Sequence, residues 1–137
     1  MMQYLLDTNI CIYYLRGKLN FNDFVEEPWR KSCCISDVTV LELRYGAENS
    51  NNPQKHHRAV DLFLHDLTVL PISKVVDIYA REKVRFRKIG KPLHDEFDII
   101  IGASAITANL ILVTDNVKHF KDFTGIKIEN WFRRLIK

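Results

Sequence analysis

With 137 residues, 47% of them hydrophobic and 27% charged, the chain has the size and make-up of one globular domain, and no apolar run approaches the roughly 20 residues of a membrane span. Its formal net charge of +3 permits a nucleic-acid partner without demanding one. Cys11, Cys33 and Cys34 form an odd set without C-x-x-C spacing, which argues against a disulfide framework or a zinc site and for free, buried thiols in a reducing compartment. No basic segment followed by a long apolar one opens the chain, so no signal peptide is expected.

Residues 3–6 read as a buried strand, followed by a helix from about Thr8 to Arg16 that Gly17 ends. Residues 20–31 look irregular or weakly helical, with Pro28 as a breaker. "CCIS" (33–36) is a second strand, and "DVTVLELRYGAE" (37–48) is helical. "NSNNP" (49–53) is a loop, leading to a helix from about Gln54 to Leu67. "TVLPI" (68–72) is a third strand, and Ser73 is expected to cap a helix from Lys74 to about Lys88 with Val75, Tyr79 and Phe86 in the core. After the loop "IGKP" (89–92), a helix from about Glu96 to Asn109 leads to the strand "LILVT" (110–114). A short helix around Val117–Phe120 and a last strand, "IKIEN" (126–130), complete the series. Strands alternating with helices, and reading as continuous apolar runs, predict an α/β domain with a largely parallel sheet covered on both faces. No internal repeat or linker interrupts residues 1–137, so one domain is expected.

In such a sheet, sites form beyond the carboxyl ends of the strands. Asp7 ends the first strand, and Asp115 follows the fourth at Thr114. Glu42 lies about a turn and a half into the helix after the second strand, and Asp98 near the start of the helix before the fourth. Each acid also has a plain structural reading. Asp7 can cap the next helix. Glu42 can close a capping box with Thr39, although it shares a helix face with Val38 and Tyr45. Asp98 can favour its helix N-terminus, yet it begins "DIIIGASAI", a helix apolar nearly all round, where a charge needs a partner. Asp115-Asn116 reads as a turn or cap.

Together the plain readings weaken. Three or four carboxylates converging on one edge repel one another, and a divalent cation relieves that repulsion. Hard oxygen donors with few histidines select Mg²⁺ or Mn²⁺ over zinc. Such a site suits phosphoryl chemistry, in which the metal activates water and neutralises charge on the scissile phosphate. No Gly-rich phosphate loop is present, which argues against nucleotide hydrolysis of the Walker type.

"LLDTNICIYYL", "ISDVTVLELRYGAE", "FDIIIGASAITANLILVTDN" and "IKIENW" together, in this order and spacing, resemble a PIN domain, and more closely the VapC-like toxins of bacterial type II toxin–antitoxin pairs. The resemblance covers nearly the whole chain. It implies a three-layer α/β/α sandwich with a mostly parallel five-stranded sheet, and a cytoplasmic Mg²⁺-dependent endoribonuclease that hydrolyses RNA phosphodiester bonds with a metal-activated water. It also implies a homodimer, held inactive by a VapB-type antitoxin whose C-terminal segment enters the active-site groove, with operator DNA bound through the antitoxin. Asp7, Glu42 and Asp98 match the family's first three acids, Asp7 and Asp98 as metal contacts. The fourth can fall at Asp115, at Asn116 or at His119, with Asp115 the preferred assignment. Thr8, Asn9, Ser36, Thr114 and Asn116 would orient the acids.

An RNA substrate needs cations around the acids. The run "REKVRFRKIGK" offers Arg81, Arg85, Arg87, Lys88 and Lys91, and "RRLIK" at the C-terminus is a second basic cluster that reads as a flexible tail. The first helix, with Ile10, Tyr13, Tyr14 and Leu15, serves either as an antitoxin surface or as ordinary core. His94 reads as a loop residue near the site mouth. A PIN-like module that binds RNA or protein without cutting, and a solitary PIN nuclease without an antitoxin, are the competing readings. The intact Asp7, Glu42 and Asp98 favour the enzyme.

Overall fold

Successive side chains along each strand point to opposite faces of the sheet, so short apolar strands feed two cores at once. The computed structural model describes residues 1–91 and 95–135. Its strands are β1 (Tyr4–Leu6), β2 (Cys33–Ser36), β3 (Thr68–Leu70), β4 (Ile111–Val113) and β5 (Lys127–Glu129), all parallel, in the order β3-β2-β1-β4-β5. The helices are α1 (Thr8–Leu15), α2 (Asp37–Glu48), α3 (Pro53–Leu64), α4 (Val76–Lys88), α5 (Glu96–Thr107), α6 (Val117–Phe120) and α7 (Trp131–Leu135). Leu6, Cys33, Ile35 and Val113 face one core, which contains Ile10 of α1, Phe63 of α3 and Trp131 of α7. Leu5, Cys34 and Leu112 face the other, with Phe86 of α4, Ile101 of α5 and Phe120 of α6. The helix–sheet–helix layering is the expected one. Among the described residues no helix is long and apolar enough to cross a membrane.

The chain leaves the central β1 towards β2 and β3, then returns to lay β4 and β5 on its other side. The order reverses at β1, and a crevice opens there beyond the carboxyl ends of the strands.

Several boundaries differ from the sequence expectation for local reasons. Strand pairing stops at Leu70, and Ile72–Lys74 forms a 3₁₀ turn whose first N–H donates to Asp37 Oδ2 at 3.0 Å. Helix α4 therefore starts at Val76, with Val75 and not Ser73 at the cap position and no side-chain cap bond. Tyr79 is half-buried and not core; its hydroxyl donates to Glu96 at the head of α5. Residues 20–31 contain two 3₁₀ turns, Phe21–Asp23 and Trp29–Lys31, that place Phe21 and Trp29 in an aromatic cluster. Tyr14 stacks on Phe21 with ring centroids 4.5 Å apart, so the apolar face of α1 is largely core.

Helices α4 and α5 descend side by side from the carboxyl edge. Tyr79 and Lys83 of α4 meet Glu96 at the top of α5, whereas Phe86, further down, packs on Phe123, which abuts Gly102 at the middle of α5. Buried Glu82 ties this face together. Burial alone would raise its pKa, but Arg85, and then the Thr124 backbone and hydroxyl, hold it below the ordinary value. A Cβ on Gly102 would lie 2.5 Å from the Phe123 ring. Gly102→Ala is expected to cost about 1–3 kcal/mol through overpacking. Gly46, in the exposed face of α2 with nothing within 4 Å, should instead gain roughly 0.5–1 kcal/mol as Ala. Urea unfolding of both variants measures the contrast.

Candidate active site

Asp7 occupies the crevice at the end of β1 and is only 4% exposed. Its N–H donates to the Val113 carbonyl of β4 at 2.9 Å. Its side chain does two things at once. Oδ1 accepts from the Thr8 N–H at 2.8 Å and so caps α1, and Oδ2 accepts from the Thr114 hydroxyl at 2.7 Å. Thr114 Oγ1 in turn accepts the Asn116 N–H at 2.9 Å, which fixes the hydroxyl proton on Asp7. Desolvation pushes the Asp7 carboxyl up to about 6; the bonds from Thr114 and Thr8 oppose this, and the charges of Asp98 and Glu42 add to it.

Glu42 reaches the same place from α2. That helix is capped by Ser36, whose Oγ accepts the Val38 N–H at 3.2 Å, so the Thr39–Glu42 capping box does not form. Glu42 Oε1 instead accepts the Thr8 hydroxyl proton at 2.6 Å. Thr8 has one hydroxyl proton, so the 3.0 Å contact between Thr8 Oγ1 and Thr39 Oγ1 has Thr39 as donor. The relay Thr39 to Thr8 to Glu42 is inside the fold, with Thr39 fully buried. Desolvation raises the Glu42 pKa, the Thr8 bond lowers it, and Asp95 and Asp98 raise it further.

Asp98 stands in the first turn of α5, which Asp95 caps by accepting the Asp98 N–H at 2.9 Å. The Asp98 side chain is 19% exposed, and its Oδ2 lies 3.2 Å from His119 Nδ1. The structure thus gathers Asp7, Glu42 and Asp98 within electrostatic range of one another, with Asp95 beside Glu42.

The fourth position resolves differently from a simple acid cluster. Asp115 Oδ2 accepts from the Tyr13 hydroxyl at 3.0 Å, and Oδ1 accepts from Asn130 Nδ2 at 3.0 Å with Arg133 Nε at 3.8 Å. Both oxygens serve to join α1, β4 and α7. Among the alternatives, His119 is the residue placed directly against Asp98, while Asn116 contributes its backbone N–H to Thr114. Of the supporting residues, Thr8 and Thr114 bond the acids directly, and Ser36 acts by capping α2. Asn9 is half-buried and makes no side-chain bond to an acid among the described residues. His94 lies outside the described residues.

Part of the basic run of α4 and the loop after it is committed to other partners. Arg85 donates to Glu82 and to the Asp122 carbonyl, and Lys91 pairs with Asp122 at 3.6 Å, so this end of the run lies below the middle of α5. Arg81, Arg87 and Lys88 are exposed.

The donor set fits a hard divalent cation. The charge of Asp98 adds to the proton affinity that burial gives Asp7 and Glu42, and a cation among them would offset that cost. Among the described residues no group of three or more His, Cys, Asp or Glu side chains is arranged to hold a metal ion together; Mg²⁺ needs only one or two carboxylates and keeps several waters. From Glu42 a groove of about 660 Å³ runs between α1, α2 and α3, floored by Ile12, Leu15, Leu43 and Val60 and edged by Arg16 and Lys55.

The PIN domain model matches residues 4–125. The chain belongs to the PIN-domain family, among its VapC ribonucleases. It is 37% identical over 133 residues to Ribonuclease VapC2 of Haemophilus influenzae, covering 96% of this chain and 99% of the relative. To the tRNA(fMet)-specific endonuclease VapC of Salmonella typhimurium it is 31% identical over 135 residues, with 96% and 99% covered. The VapC-type fold also matches the crystal structure of DNA-bound VapBC from Salmonella typhimurium with a TM-score of 0.86 and 30% identity, over 96% of this chain and 99% of that one.

The Asp7 shift has a sign that can be tested. Its folded-state pKa lies above its unfolded value, so the folded protein binds the extra proton between about pH 4 and pH 6. Stability therefore falls as pH rises through that window, and the whole cost persists above it. A shift of about two units corresponds to about 3 kcal/mol. In EDTA, Asp7→Asn is expected to be more stable than the parent at pH 8, by up to that amount, and to lose most of this advantage at pH 4. Calorimetry at the two pH values measures it.

Proposed function

We propose that this chain is an Mg²⁺-dependent endoribonuclease, with Mn²⁺ as the alternative ion, and the toxin of a VapBC-type pair. The observation that carries the reading is the convergence of buried Asp7 with Glu42 and Asp98 at the sheet's switch point. Asp7 and Asp98 would hold the metal. When bound, it supplies Lewis-acid chemistry, lowering the pKa of water and neutralising charge on the scissile phosphate. Glu42, partly desolvated and oriented by Thr8, is placed to accept a proton from water. Thr114 and the Thr8 N–H fix the Asp7 oxygens, so no reorganisation is needed when charge develops. The cysteines offer no nucleophile: desolvation pushes the buried thiols of Cys33 and Cys34 up to about 11 and about 12. Three buried free thiols also suit the cytoplasm.

The partners follow the family. A cognate VapB-type antitoxin would lay an apolar C-terminal segment on the floor of the groove at Ile12, Leu15, Leu43 and Val60. A homodimer and operator binding through the antitoxin complete the proposal, with residues 1–137 acting as one PIN-like domain. The tRNA(fMet) named for the Salmonella relative is the first RNA to assay.

Purified protein is expected to cleave RNA in Mg²⁺, to stop in EDTA and to recover when Mg²⁺ or Mn²⁺ is restored in excess. Asp7→Asn and Asp98→Asn should each reduce the rate at least 10²-fold, the usual scale for a transition-state contact. Growth arrest on expression should disappear with Asp98→Asn. Cleavage that is indifferent to EDTA and to both substitutions would remove the metal-dependent reading.

A further inference from the structure

The cations of this fold divide into those already committed and those left available. Arg44, Lys83, Arg85 and Lys91 are paired with Asp61, Glu96, Glu82 and Asp122. Arg16 is different. It is exposed at the end of α1, no carboxylate lies within ion-pair distance among the described residues, and it edges the groove that opens at Glu42. It also lies close enough to the Tyr13 hydroxyl to act on it electrostatically. Arg133, 71% exposed, makes a single 3.8 Å side-chain contact to Asp115, the acceptor of the Tyr13 hydroxyl.

Arg133 is not part of a loose tail. Its N–H donates to Asn130 Oδ1 at 3.0 Å, while Asn130 Nδ2 holds Asp115. Before it, Trp131 is fully buried and donates to Glu129 at 2.9 Å, and Phe132 stacks on Tyr13 with centroids 4.1 Å apart. The first turn of α7 is thereby fixed to α1 and to the strand edge. Arg16 lines the same groove as Glu42, and Arg133 contacts Asp115, the neighbour of the Thr114 that bonds Asp7. A net acidic pocket repels a polyanion, so a substrate needs positive charge beside it, and Arg16 and Arg133 are cations left available there.

We propose that Arg16 and Arg133 form the phosphate-binding rim of the active site, engaging the RNA backbone on the α1–α7 side of the acids in place of the basic run of α4. Asp115 is then a positioning residue. Its bonds to Tyr13 and Asn130 set the start of α7, and its weak contact with Arg133 aims the guanidinium without consuming it. The inference rests on the ribonuclease reading, and its test is one of binding, which separates the two.

The measurement is the affinity of a fluorescent single-stranded oligouridylate as a function of salt, in the Asp7→Asn background so that nothing is cut. Backbone contacts are independent of sequence, so a homopolymer is a fair probe. Each arginine replaced by alanine should weaken binding roughly tenfold at low salt, the scale of a charge-assisted hydrogen bond. The slope of log K against log salt should fall by about 0.7 for each arginine–phosphate pair removed. Arg16→Lys with Arg133→Lys should retain the slope, and Arg81→Ala/Arg87→Ala/Lys88→Ala should leave it unchanged. An unchanged slope in the Arg16→Ala/Arg133→Ala protein overturns the proposal. So does an equal drop in the α4 triple variant, because a general fall in net charge would explain both. Circular dichroism of the Arg133→Lys protein, which keeps α7 docked, guards against misreading an unfolded helix. Cleavage by the parent in Mg²⁺ together with an unchanged slope would retain the ribonuclease reading and remove only this rim; an inert parent that still shows the slope change would do the reverse.

Discussion

The structure depends on a carboxylate placed where water is scarce. Asp7 is pinned at three points, through its own N–H to β4, through Oδ1 to the first turn of α1 and through Oδ2 to Thr114. These bonds join the two central strands to the helix that follows the first. They also hold a negative charge beside two others, at a cost the folded protein bears continuously. A fold governed by stability alone would place an asparagine or a serine there, since either caps a helix. Retaining an acid under those conditions makes sense for a site in which a bound cation offsets the cost of burying that charge beside others.

The surrounding hydroxyls keep that charge from relaxing. Thr8 and Thr114 lie on opposite sides of Asp7, and each has its proton direction fixed by a further partner, Thr39 in one case and the Asn116 N–H in the other. Glu42 is drawn in by Thr8, and Asp98 is delivered by a helix whose cap, Asp95, adds another negative charge at the mouth. One edge of the sheet therefore concentrates acids, while Arg16, on the groove shared with Glu42, and Arg133, at Asp115, are cations with little or no carboxylate partner among the described residues.

Much of this was legible in the sequence, for identifiable reasons. Apolar runs of three to five residues ending in Asp7, Ser36 and Thr114 mark the carboxyl edge of a parallel sheet, because β-branched and apolar residues on both faces leave polar residues only at the strand ends. Helix α2 begins and ends where its pattern indicated, at Asp37 and Glu48. The failures share a cause, contacts between residues far apart in the chain. Thr39 looked like half of a capping box, since nothing local reveals that Thr8 lies against it. The bonds of Asp115 were hidden for the same reason, since its partners Tyr13 and Asn130 come from α1 and from just after β5. The run from Arg81 to Lys91 offered cations for RNA, yet Glu82 and Asp122 take up Arg85 and Lys91. Arg133 read as tail because the burial of Trp131 and the stacking of Phe132 are tertiary facts.

The claim on which the rest turns is that burial first, and the nearby charges of Asp98 and Glu42 second, make ionised Asp7 costly in a way that a bound cation would relieve. Titration of the Asp7 side-chain carboxyl by carbon-13 NMR, first in EDTA and then in saturating Mg²⁺, tests it most directly. The account predicts a midpoint of about 6 without metal and a clear downward shift once Mg²⁺ is present. A midpoint of about 4, the ordinary aspartate value, that does not respond to Mg²⁺ would contradict it.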